Sequence, residues 1–107
     1  MKVFHRAALA SLCVLALSDA QAALLANAGQ VTGLRVEGPY AFITMAQSLG
    51  PNCGNRYWLD VNSANGKAAY ATAMMAFSMD LTVHLRVDDA GARVFGECGL
   101  WDIFVSK

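Results

Sequence analysis

The sequence predicts a mainly β domain, a small barrel of five strands with one helix between the third and fourth. Three observations predict it. Four stretches alternate apolar and polar residues with the period of two that a half-buried strand shows. A further stretch, YAFITMAQSL at 40–49, is apolar at nearly every position, the pattern of a strand covered on both faces. One alanine- and methionine-rich segment, 62–80, almost lacks β-branched residues and divides three strands from two.

The strands follow in chain order. VTGLRVEG (31–38) sets Leu34 and Val36 against Arg35 and Glu37, and Gly38-Pro39 turns the chain into 40–49. Residues 50–56 are loop. RYWLDV (56–61) puts Tyr57, Leu59 and Val61 on one face, Trp58 and Asp60 on the other. LTVHLRVD (81–88) sets Leu81, Val83, Leu85 and Val87 inward, and DDAGA turns the chain. CGLWDIFVS (98–106) alternates Trp101, Ile103 and Val105 with Asp102, Phe104 and Ser106. The helix is expected from Lys67 to Met79, capped by Asn65 or Ser63. Tyr70, Ala73, Met74, Phe77 and Leu81 fall at the spacing of one buried face.

The opposite helix face carries Ala71, Thr72, Met75, Ser78 and Met79, and no charge occurs between Lys67 and Asp80. Surface helices ordinarily carry charge outward, so a cover is expected here, most simply another copy of the chain; the competing reading is an alanine-rich helix whose small side chains tolerate solvent. Ala71, Met75, Ser78 and Met79 are the expected oligomer contacts.

The first 22 residues, MKVFHRAALASLCVLALSDAQA, place Lys2 and Arg6 ahead of an uncharged apolar run, Ala7 to Leu17, and end in Ala20-Gln21-Ala22. That is the order of a secretory signal peptide, cleaved after Ala22 or as late as Ala28. The apolar run is shorter than the ~20 residues that span a bilayer. Residues 29–107 are then a single exported domain, secreted or periplasmic, with no membrane span.

Export bears on the cysteines. Cys13 leaves with the signal, while Cys53 and Cys98 remain, an even pair in a small exported domain. A structural zinc site wants four ligands, and the chain after residue 22 offers one histidine, His84, and no C-x-x-C. The pair reads as a disulfide. Closing a loop of about 45 residues is worth ~4 kcal/mol by chain entropy.

Acidic and basic residues balance at 8 each, with signs interspersed, so the clustered basic face of a nucleic-acid binder is absent. No nucleophile motif accompanies His84, and the scattered serines form no G-x-S-x-G. No metal, cofactor or catalytic residue is expected. Trp58 beside Asp60 suits a sugar, the ring meeting C–H faces and the acid accepting hydroxyl hydrogen bonds. Asn52, Asn55 and Arg56 in the adjoining loop complete the expected ligand-binding set. Packing and turn chemistry are the competing readings of all five.

Three strands, a helix and two strands is the order of an OB-fold barrel. The segments GQVTGLRVEGPYAFITM, the cysteine loop ending in YWLD, and GKAAYATAMMAFSMDLTVHLRV before a late cysteine resemble small exported bacterial OB-fold proteins. These are distantly similar to the B subunits of subtilase-cytotoxin-like toxins. The resemblance spans 29–107 and rests on layout with Cys53, Gly66, Lys67, Ala73 and Cys98. It implies an OB-fold, a homo-oligomer and glycan binding; Asn27 stands near the place of those subunits' sugar-contacting serine. The function expected is that of an exported binding module for a glycan or envelope component. The alternative is a structural or interaction protein, or an inhibitor of another exported protein.

Overall fold

The computed structural model describes residues 24–107, and the expected signal peptide, residues 1–22, lies outside them. Six strands and one helix follow in chain order: β1 (Leu24–Gly29), β2 (Val31–Glu37), β3 (Tyr40–Met45), β4 (Arg56–Asp60), α1 (Ala64–Met79), β5 (Thr82–Asp88) and β6 (Gly99–Ser106). The strands form one mixed sheet in the order β1-β5-β6-β4-β3-β2. The chain is mainly β, as expected.

The barrel expected from the sequence is corrected in two respects. There are six strands, because Leu24–Gly29 pairs along its whole length with β5, from Leu24 opposite Asp88 to Gly29 opposite Val83. The sheet is also not a closed barrel: β1 and β2 end the hydrogen-bonded order on opposite sides. Only Gln30 separates them in the chain, so the sheet curls until its two edges meet at that residue. The Gln30 carbonyl accepts from Ala46 N at 3.0 Å.

Alternation sorts the side chains. Val83, Leu85 and Val87 of β5, Tyr57 and Leu59 of β4, and Ala41, Ile43 and Met45 of β3 fill one core with Ala73 and Ala76 of α1. β3 is covered on both faces, since Phe42 on the other side is also buried. The strand expected over 40–49 stops at Met45, and Ala46, Gln47 and Ser48 are exposed. There the chain leaves the ladder to enter the cysteine loop, with Gly50 N donating to Ser48 Oγ.

α1 begins three residues earlier than expected. Ser63 is its N-cap and accepts from Gly66 N at 2.9 Å. Asp80 closes it in the left-handed region at φ 55°. The inward stripe is Gly66, Ala69, Tyr70, Ala73 and Ala76. Met74 and Phe77, expected inside, are 45% and 46% exposed. The reason is Gly66: a Cβ there would lie 1.7 Å from the Asp60 carbonyl oxygen, so the helix approaches the end of β4 along its smallest side chains. The apolar sequence pattern allowed several rotations, and close backbone approach selects this one.

Inside the core Asn27 is 4% exposed, and its side-chain amide nitrogen makes two hydrogen bonds. Its Nδ2 donates to the Tyr57 hydroxyl at 2.8 Å and to the Gln47 carbonyl at 2.9 Å. Tyr57 in turn donates to the Gly54 carbonyl at 2.6 Å. This chain ties β1 to β4 and to the loop that carries Cys53. Burial raises the Tyr57 phenol above its ordinary pKa, against the lowering effect of the Asn27 bond.

Cys53 and Cys98 form a disulfide with Cα atoms 5.3 Å apart. Its placement matters because β4 and β6 share one register pair, Trp58 opposite Gly99, where every other neighbouring pair of strands shares at least five. Trp58 N donates to the Cys98 carbonyl at 3.1 Å. The covalent bond closes the seam that hydrogen bonding leaves thin.

Replacing both cysteines with serine lowers unfolding free energy by about 2–5 kcal/mol, measured by denaturant titration. Gly66→Ala costs about 1–3 kcal/mol or prevents folding, because the contact it violates is backbone and cannot rotate away. A raised phenol pKa favours the protonated folded state, so stability is intact below about pH 10 and falls as pH rises past it. In Tyr57→Phe that alkaline decline flattens, at a cost of about 1–2 kcal/mol at neutral pH from the lost hydrogen bonds.

Candidate functional site

The five residues expected to bind ligand divide into two groups. All of β4's Arg56, Trp58 and Asp60 point away from the core, opposite Thr44, Phe42 and Tyr40 of β3. The 89–97 loop between β5 and β6 roofs the near end of this face. Phe95 stacks on Phe42 with centroids 5.8 Å apart, and the Arg56 guanidinium lies 5.1 Å from the same ring. Arg56 Nε donates to Glu97 Oε1 at 3.0 Å. Arg93 donates to Asn52 Oδ1 at 2.7 Å and to the Asn52 carbonyl at 2.9 Å, while Asn55 Nδ2 donates to the Met45 carbonyl at 3.0 Å. Asn52, Asn55 and Arg56 therefore hold the fold, and the structure does not bring them together with Trp58 and Asp60 around a cavity.

Trp58 and Asp60 reach a different place. After the single pair Trp58–Gly99 the parallel strands β4 and β6 separate, and the N-terminus of α1 underlies the gap. The result is an open cleft of about 420 Å³, whose walls include Trp58, Asp60, Ser63, Asn65 and Trp101. Trp58 is a fixed wall: its Nε1 donates to the Ala92 carbonyl at 3.0 Å, Tyr40 meets it edge-on at 5.7 Å, and Gly99 lies against it. A Cβ at Gly99 would sit 3.3 Å from the indole nitrogen.

Trp101 is the residue that sequence alternation placed wrongly. The pattern grouped it on one face with Ile103 and Val105, which do pack against the core. The register of β5 and β6 shifts between Arg86, opposite Asp102, and Val87, opposite Leu100, so Trp101 has no partner across the ladder. This bulge turns the indole out, where it is 61% exposed. Bulges are common devices for re-aiming a side chain at a site. A bulge leaves no mark in an alternating pattern, so only the bulk of an indole in so small a domain hinted at it.

The polar groups in the cleft are acceptor-rich. Asp60 Oδ1 accepts from Asn62 N at 2.8 Å. Its other carboxylate oxygen has no hydrogen bond among the described residues. Ser63 Oγ is spent on the cap, donating to the Asp60 carbonyl at 2.9 Å. The Asn65 side chain stands exposed in the first turn. One carboxylate oxygen and one amide thus face the space beside two indoles.

Two other placements bear on chemistry. The side chain of Asn27, near the expected sugar contact, is buried in the core and bonded to Tyr57 and Gln47. His84 stacks on Phe104 at 4.4 Å, and its Nε2 lies 2.9 Å from Ser106 Oγ, a pairing across β5 and β6 that the sequence spacing concealed. On the neighbouring cross-strand pair, Asp102 is engaged by Arg86. That guanidinium holds the Asp102 carboxyl below the usual carboxylate range. Among the described residues no cluster of three or more His, Cys, Asp or Glu is placed to hold a metal ion, and no helix is long and apolar enough to cross a membrane.

Compared with known proteins, the chain matches no family model, no curated sequence and no solved structure.

The two tryptophans separate by stability. Trp58→Ala lowers unfolding free energy by about 3–5 kcal/mol. Trp101→Ala stays within about 0.5 kcal/mol of the parent. Thermal or denaturant melts of the two variants measure the difference.

Proposed function

We propose that this chain is an exported binding module that takes a carbohydrate ring into the cleft between β4, β6 and the start of α1. The observation that carries the reading is Trp101, a large aromatic side chain lifted out of its ladder into solvent beside a second indole and a carboxylate. Exposing an indole costs hydrophobic free energy, and a C–H face of a sugar ring recovers it on binding. The free Asp60 oxygen and the Asn65 amide supply the hydroxyl contacts.

The relationship to OB-fold proteins is part of the proposal. With β1 and β2 counted as two halves of one bent strand, five strands and a helix between the third and fourth remain, which supports an OB-like layout. In that frame the ligand lies at the helix end of the sheet, because the 89–97 loop already fills the strand face expected to bind. Signal-peptide cleavage after Ala22 fits this reading. Cleavage after Ala28 removes nearly all of β1, with the Asn27 bond to Tyr57.

Titrating mono- and oligosaccharides while following tryptophan fluorescence tests the proposal. A binding sugar shifts the emission, and Trp101→Ala and Asp60→Asn each weaken its affinity about tenfold or more. Failure of every sugar at millimolar concentration, or binding untouched by Trp101→Ala, overturns it. The second reading, an interaction protein or an inhibitor of another exported protein, is favoured by the apolar outer face of α1. Retention of an exported protein on the immobilised chain, with no sugar bound, replaces the first reading with the second.

A further inference from the structure

We propose that the ligand of the β4–β6 cleft is an amino sugar, its free ammonium group held by Asp60 and the two indoles; the inference rests on the carbohydrate reading above and names the class of sugar. The walls of the cleft carry one charged side chain, Asp60, and no lysine, arginine or histidine stands among them. Carboxylate and indole act on a cation in the same direction. The carboxylate oxygen accepts a charge-assisted hydrogen bond, and the negative face of an aromatic ring attracts the charge, tryptophan most strongly.

The groups that would hold an anion are engaged elsewhere. Arg56 pairs with Glu97, Arg86 with Asp102, and Arg93 with Asn52. Trp58 Nε1 is spent on the Ala92 carbonyl. The start of α1 lies beneath the cleft, and helix N-termini favour negative charge. Here Asp60 already takes that place. Its Oδ1 accepts from Asn62 N and its carbonyl from Ser63 N, while Ser63 Oγ accepts from Gly66 N. An acidic sugar would meet the Asp60 carboxylate with no basic side chain in the walls to offset the repulsion.

The rest of the site says which kind of cation. A volume of about 420 Å³ far exceeds an ammonium group, and pockets of this size take whole small molecules. The Asn65 amide, exposed in the first turn, offers a donor and an acceptor that a quaternary ammonium headgroup or a lysine side chain does not use. A hexosamine uses each part. Its C–H face meets Trp101, its hydroxyls meet Asn65, and its ammonium meets the Asp60 oxygen left without a hydrogen bond among the described residues.

Tryptophan fluorescence titrations of the folded, disulfide-bonded protein test this, at slightly acidic pH where a sugar amine is charged. Short glucosamine oligomers are compared with their N-acetylated, plain glucose and uronic acid counterparts of equal length. The glucosamine form is expected to bind about tenfold or more tightly than any of the others. Asp60→Asn keeps the oxygen that accepts from Asn62 N, so folding is spared, and it removes the preference for the amine. An N-acetylated, glucose or uronic acid oligomer that binds as tightly as the glucosamine form, or an amine preference that survives Asp60→Asn, overturns this proposal and leaves the carbohydrate reading standing. Failure of every sugar overturns both, as does binding of choline or a lysine peptide with no sugar bound.

Discussion

The Cys53–Cys98 disulfide is the constraint on which the rest of this fold depends. Elsewhere the sheet is held by ladders of five to seven residue pairs, but β4 and β6 meet at one. A parallel seam this short contributes little by hydrogen bonding, and the strands on either side belong to halves of the chain that α1 separates. The disulfide sits at the seam's mouth, with the carbonyl of Cys98 itself accepting the Trp58 amide. In a domain of this size, which buries only about 60% of its unfolded surface, one such bond is a large part of the stability margin.

The cleft is the other consequence of the same seam. A longer β4–β6 ladder would close the space that Trp58, Asp60 and Trp101 border. The bulge at Trp101 and the close approach of Gly66 to Asp60 occur on the two sides of that gap, one aiming an indole outward and the other bringing the start of α1 beneath. The 89–97 loop meanwhile seals the opposite end of β4 with Phe95, Arg93 and Glu97. Residues at one end of β4 are thus held by that loop, and those at the other border the cleft.

Five strands and the helix were legible in the sequence because alternation and composition act locally: Val83, Leu85 and Val87 can only face a core, and a segment such as AAYATAMMAF has no reason to extend. The cysteine pair was legible from its even count beyond residue 22. What stayed hidden was set by distant contacts. β1 begins where the sequence reads as the tail of a leader, and its strand character lies in its register with β5. The rotation of α1 was ambiguous because apolar residues surround it, and a backbone contact at Gly66 decided it. Asn52, Asn55 and Arg56 looked like ligand contacts because their partners, Arg93, Met45 and Glu97, are distant in sequence or engage through the backbone. Trp58 and Asp60 do border a cleft, but the second indole beside them needed the bulge.

Amide hydrogen exchange at Trp58, compared between the intact disulfide and the Cys53→Ser, Cys98→Ser protein under folding conditions, tests the central claim most directly. The account predicts that the Trp58 amide, protected while the bond is intact, exchanges far faster without it, while amides of the β1–β5 ladder keep most of their protection. Equal loss of protection across the whole sheet, or a Trp58 amide that exchanges no faster in the variant, would contradict it.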